Sequence, residues 1–183
     1  MPSNFPLEPW KSFFAEIDGS LEEEVVLHCL GGFVMTTLYG LIRPTADVDF
    51  LPVGSPAATE SIVGLAGQGS ILHKKYKVYF QVVGVAPIPV NYDERLTEMF
   101  PGTFDHFRLL ALDPYDLALS KIERNNQKDR DDVKHLARTV PLDLNKLQVR
   151  YQNELRPDLA NPEREDLTLK LWVEIIEEER GNC

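Results

Sequence analysis

Asp47 and Asp49 stand two residues apart in GGFVMTTLYGLIRPTADVDF, residues 31 to 50. On a strand, residues two apart point to one face, so two carboxylates lie side by side while Val48 turns into the core. Like charges that close repel, and a divalent cation is the usual remedy. Magnesium suits such a pair because it takes oxygen ligands, keeps several waters and binds substrate phosphates at the same time. Gly31 and Gly32 fall between a strand and a helix, where missing side chains let backbone N–H groups approach an anion at the helix N-terminus. Arg43 can neutralise phosphate charge, and the Thr45 hydroxyl either binds a phosphate oxygen or shapes the turn. Taken singly, each piece has a plain structural reading: a Gly-Gly turn, an exposed strand edge, an Arg-Pro helix end. Their order within 19 residues is the signal.

In that order the segment resembles the nucleotidyltransferase superfamily of DNA polymerase beta-like fold, whose signature is a Gly-Gly or Gly-Ser turn followed by Asp-x-Asp on the next strand. The form RPTADVDF is similar to minimal nucleotidyltransferase-like proteins related to abortive-infection toxins of AbiEii type, which carry Arg-x-Ser/Thr-x-Asp-x-Asp. A second block, KIERNNQKDRDDVKHL (121–136), matches that group through Lys121, Lys128, Asp129 and Asp132, so the resemblance spans roughly residues 25 to 138. It implies that Asp47 and Asp49 are catalytic and hold Mg²⁺ or Mn²⁺. It further implies that Gly31, Gly32, Arg43, Thr45, Lys121, Arg124 and Asp129 bind the nucleotide, with Lys121 reaching across a cleft to the triphosphate. The implied reaction moves a nucleoside monophosphate from an NTP to RNA, a protein side chain or a small molecule. A toxin role with a cognate antitoxin protein is implied as well.

The second block also has a structural reading. Asp129 and Asp132 can be a helix cap and its first-turn partner, and Lys121 and Arg124 can lie on a solvated helix face. A further departure concerns the third carboxylate that the family usually places on a later strand. The strand expected over 76 to 86 has no acid, and its central polar residue is Gln81, which shares a face with Tyr79 and Val83. An amide oxygen can ligate a metal but cannot serve as a general base. Asp93 and Glu94 are expected outside that strand, and Arg95 is read either as a cleft residue or as a helix-surface arginine. The alternative function is therefore a catalytically weakened module that binds a nucleotide or a partner protein. A third reading is a structural protein whose acidic tail, EIIEEER (174–180), packs on another chain or forms a solvated helix face.

The elements that must position these residues follow from periodicity and punctuation. A short amphipathic helix is expected over 8 to 19, a buried strand over 25 to 30, and a helix over 33 to 41 ended by Pro44. A strand over 46 to 53, a helix over 56 to 66, a loop over 67 to 70 and the strand over 76 to 86 complete the front half. From Asp113 onward helices are expected over 113 to 124, 127 to 138, 143 to 155 and 164 to 180, with a break at Asn125 and Asn126. The fold class is α+β: a nucleotidyltransferase-like mixed sheet flanked by helices, followed by a C-terminal helical segment. Residues 1–112 form the core and 113–183 a helical region packed on it as a single unit, with a cleft between layers as the expected site.

Composition narrows the partners. With 29 acidic and 19 basic residues the net charge is −10, which repels a polyphosphate backbone unless positive residues gather locally. Coating of nucleic acid is thus excluded, and a small basic pocket for one nucleotide is not. The run 25 to 42 has no formal charge with neutral His28 and reaches the length of a short membrane span, but its adjacent glycines, His28 and two threonines favour a buried strand and helix. No secretory signal is read at the start, no membrane segment is expected, and Cys29 and Cys183 have no metal-ligand spacing. The expected compartment is the cytoplasm.

Overall fold

Alternating burial explains the strands. In Asp47–Leu51 (β2) Val48 and Phe50 are buried while Asp47 and Asp49 are only half-buried, the pattern of a strand whose two faces meet different surroundings. The computed structural model describes residues 6–181, so residues 1–5, Asn182 and Cys183 lie outside it. The chain divides into two compact units: residues up to Gly84 with Leu96–Ala111, and Val85–Arg95 with Leu112 onward. The partition differs from a single cut at residue 112, because the segment Val85–Arg95 belongs with the helical unit.

The first unit holds a five-stranded mixed sheet in the order β3-β2-β1-β5-β4. Val25–Leu30 (β1) pairs antiparallel with β2 and parallel with Phe107–Ala111 (β5); Tyr79–Val82 (β3) runs parallel to β2, and Thr97–Met99 (β4) antiparallel to β5. Trp10–Asp18 (α1) buries Phe13, Phe14 and Ile17. Phe13 and Phe14 meet Phe80, and Phe14 also meets Phe33 and Phe107, so one aromatic cluster fastens this helix to the sheet. Gly31–Tyr39 (α2) follows β1, Pro56–Ala66 (α3) starts at a Ser55 cap, and Ile71–Tyr76 (α4) starts at a Ser70 cap.

Several expectations need correction. The second helix begins on the glycines and ends at Gly40, whose φ of +67° and N–H bond to the Met35 carbonyl close it before Pro44 is reached. The strand expected from residue 76 starts at Tyr79, because Ser70 caps α4 and Lys77 turns the chain with φ +63°. It also stops at Val82, since β2 offers a short partner and the chain beyond Gly84 enters the other unit. Strands β4 and β5 were not expected.

The second unit contains Pro114–Leu119 (α5), Gln127–Thr139 (α6), Leu144–Arg150 (α7) and Pro162–Gly181 (α8). Helix α5 is shorter than expected and gives way to tight turns up to Asn125, which has φ +41°. Beyond α7 the chain winds wider over Tyr151–Leu155. Trp172, Ile176, Val133, Leu136 and Ile122 are fully buried, and Trp172 donates from Nε1 to Asn125 Oδ1 at 3.1 Å. In the acidic tail Ile175 and Ile176 turn inward while Glu179 pairs with Arg138. Among the described residues no helix is long and apolar enough to cross a membrane.

Candidate functional site

Gly31 is where strand, helix and carboxylate meet. Its φ is +77°, and a Cβ there would lie 2.3 Å from Asp49 Oδ2, so only glycine leaves the carboxylate its place against the helix start. The pairing of Leu30 with Asp49 across β1 and β2 sets this approach. A Cβ on Gly32 would lie 3.6 Å from Thr45 Oγ1 and 4.0 Å from an Arg43 guanidinium nitrogen, so the loop before β2 folds back over the first turn of α2. Thr36, which sequence reasoning passed over, staples that arrangement: its hydroxyl lies 2.9 Å from the Gly32 carbonyl and 3.4 Å from the Arg43 carbonyl. The Thr45 hydroxyl lies 3.0 Å from Asp47 Oδ1 and 3.1 Å from the Asp47 carbonyl. Of the two roles read for Thr45, this is the turn-shaping one, and it also orients a carboxylate.

Asp47 and Asp49 share one face of β2, since Val48 between them is fully buried. In the parallel register of β2 with β3, Asp47 is opposite Tyr79, Val48 opposite Phe80 and Asp49 opposite Gln81. Val48 and Phe80 both point into the core, so Tyr79 and Gln81 stand on the carboxylate face. Burial, followed by the charges of Asp47 and Asp49, pushes the Tyr79 phenol above its ordinary range, which keeps it protonated. Tyr79 was legible only as a residue two before Gln81. The Cys29 thiol is pushed up by burial and by Asp49, so it packs as an inert apolar group.

The family's third carboxylate has no counterpart on β3. Glu98 on β4 is an acid on a later strand, but β4 is the opposite edge of the sheet from β3 and Glu98 is held by Arg108 at 3.0 and 3.1 Å. Asp93 and Glu94 lie in the short turn Tyr92–Arg95, outside the strand as expected. Among the described residues no group of three or more His, Cys, Asp or Glu side chains is placed to hold a metal. Two carboxylates and the Gln81 amide are what this face offers.

The second sequence block assembles in the other unit. Lys121, only 4 % exposed, puts Nζ 2.9 Å from Asp132 Oδ2 and 3.8 Å from Asp129 Oδ1, both carboxylates being fully buried. It is therefore neither a solvated lysine nor a side chain without a partner of its own. Asp129 and Asn126 form a reciprocal capping box at the start of α6, and Arg124 grips Asp129 at 2.8 and 2.5 Å. Burial raises the Asp129 pKa, but the Arg124 hydrogen bonds and the Asn126 N–H outweigh it, and the carboxyl sits below its ordinary range. Asp129 is thus the third helical residue of the box, with Asn126 as the N-cap in place of Asp129 itself. Arg95 is half-buried and paired, bonding Asp116 at 3.1 and 3.2 Å and Glu154 at 2.8 Å.

A family described as "Nucleotidyltransferase of unknown function (DUF6036)" matches residues 13–180 of the 183. The match covers most of the chain, so the protein belongs to that family. No curated protein and no solved structure matches it.

Proposed function

From that membership we propose that the chain transfers a nucleoside monophosphate from an NTP to an acceptor hydroxyl, acting in the cytoplasm. One observation supports this above the others: Asp47 and Asp49 share one strand face, and Asp49 lies directly against Gly31 at the start of α2. The residues fit a divalent ion, because the two carboxylates are the hard oxygen donors that Mg²⁺ or Mn²⁺ takes, and Gly31 leaves room at Asp49 that a Cβ would fill. When bound, the ion neutralises triphosphate charge and polarises the phosphoryl oxygens. Asp47 is oriented for ligation by Thr45. The N–H groups at the start of α2 and the Arg43 guanidinium favour the anionic phosphates, so most of the catalytic contribution from these residues is positioning and charge.

A second reading rests on Gln81. It stands in register with Asp49 and is the residue read in place of a third acid, and an amide cannot accept a proton as a carboxylate does. That favours slow turnover or a nucleotide-binding module. Incubation with each α-labelled NTP, Mg²⁺ or Mn²⁺, and total cellular RNA or protein separates the two: label transfer lost in Asp47→Asn with Asp49→Asn supports the enzyme. Calorimetric NTP binding that is equal in wild type and this double variant rejects the metal role itself. A toxin role adds a cognate antitoxin, and growth arrest on expression, relieved by the product of an adjacent gene, is its test.

A further inference from the structure

We propose that a recess on the helical unit, beside the widened turn after α7 and the facing side of α8, binds a nucleoside monophosphate unit, either free or as the end of an RNA chain. This site is separate from the Asp47 and Asp49 face and does not rest on the function proposed for it.

The recess is open to solvent and has a volume of about 700 Å³, room for one small ligand lying against its lining. It exists because the chain winds wider over Tyr151–Leu155, a departure from regular helix that often marks a functional place. Three exposed side-chain amides, those of Gln148, Gln152 and Asn153, line it. Each presents a donor and an acceptor in one plane, the complement of a nucleobase edge.

Cationic groups complete the lining. Arg156 donates from Nε and Nη2 to the two Asp166 oxygens at 2.9 Å each, and the Tyr151 hydroxyl donates to Asp166 Oδ1 at 2.7 Å. These hydrogen bonds, that of Arg156 first, hold the Asp166 carboxyl below its ordinary range. Burial, then Asp166, keeps the Tyr151 phenol protonated as a donor. The guanidinium is therefore fixed in orientation, and the hydrogens of its other Nη nitrogen are not used in the pair. Lys170, exposed on α8, adds a second positive charge to the same lining. Arg156 and Lys170 against the one carboxylate of Asp166 leave the lining a single net positive charge beside three amides, a local exception on a chain of net charge −10 suited to one phosphate and one base.

The test is calorimetric titration of the full chain in EDTA, which silences any metal-dependent site, with the four ribonucleoside 5′-monophosphates, a short oligoribonucleotide and an acidic peptide. Lys170→Ala and Gln152→Ala change exposed side chains and keep the fold. Each is expected to weaken nucleotide binding by roughly tenfold, the effect of one lost charge-assisted or well-placed hydrogen bond. Lys170-dependent binding of the free monophosphates identifies a free nucleotide as the ligand. Such binding by the oligoribonucleotide alone identifies an RNA end. The proposal is overturned by nucleotide binding that both variants leave unchanged, by binding abolished instead in Asp47→Asn with Asp49→Asn, by tighter binding of the acidic peptide, or by no binding at all.

Discussion

Gly31→Ala and Gly40→Ala form a matched pair that isolates the contact at the heart of the site. Both glycines have left-handed backbone, at φ +77° and +67°, which an L side chain resists by about 1–2 kcal/mol. Both substitutions restrict the unfolded chain equally. They differ in surroundings: a Cβ at Gly31 meets Asp49 Oδ2 at 2.3 Å, whereas one at Gly40 has nothing within 4 Å. Gly40→Ala is thus expected to lower Tm by roughly 2–4 °C per kcal/mol of strain and leave the Asp49 carboxylate in place. Gly31→Ala adds displacement of the Asp49 carboxylate. It should therefore also lose the extra stability that the proposed binding of Mg²⁺ with NTP would give, about 2.7 kcal/mol when ligand is present at a hundred times Kd. Thermal unfolding with and without Mg²⁺ and NTP reads both effects in one experiment. If Gly31→Ala kept the whole ligand-dependent rise in Tm, the Gly31 approach would not be what places Asp49.

Gln81→Asp is expected to raise label transfer roughly tenfold or more, the scale on which groups around a metal act, and an unchanged rate would mean that the third position does not limit turnover. Lys121→Met should destabilise by about 3–5 kcal/mol by stranding the buried Asp132, and Lys121→Met with Asp132→Leu should recover most of it in urea unfolding. Loss of NTP affinity in that recovered variant would return Lys121 to the nucleotide. Because the Asp129 pKa is depressed in the folded state, its contribution is present above the ordinary carboxylate range and fades as pH falls through that range to the folded value. Urea midpoints between about pH 6 and about pH 3 should fall less steeply in Asp129→Asn, and an identical slope would contradict the Arg124 and Asn126 contacts as its source.

The parts of the fold legible in the sequence were those with local causes. Strand β1, helices α1 and α3 and the break at Asn125 and Asn126 before α6 follow from apolar spacing, proline and cap residues acting over one or two turns. Strand β5 was missed because FRLLA is short and buried in part on both sides, with Leu109 and Ala111 inside and Leu110 half-buried, so no clean alternation announces it. Its position between β1 and β4 depends on partners far along the chain. The pairing of Lys121 with Asp132 was hidden for a related reason: in sequence the lysine sits near charged residues, and only the turn at Asn125 folds it onto α6.

The site was legible in kind but not in register. The spacing of Asp47 and Asp49 was enough to put both on one face, whereas the residue beside Asp49 is set by how β3 lies along β2. That register decides the chemistry. Asp47 and Asp49 bring two negative charges, which one divalent ion balances, so a neutral Gln81 leaves the face with no surplus carboxylate to take a proton. Tyr79 cannot fill that role, since burial, followed by the charges of Asp47 and Asp49, holds its phenol protonated. Under the function proposed here, an acceptor on this face would therefore lose its proton to solvent or to the leaving phosphate oxygens. Transfer should then favour acceptor hydroxyls that ionise readily over ordinary alcohols, a preference that Gln81→Asp should erase.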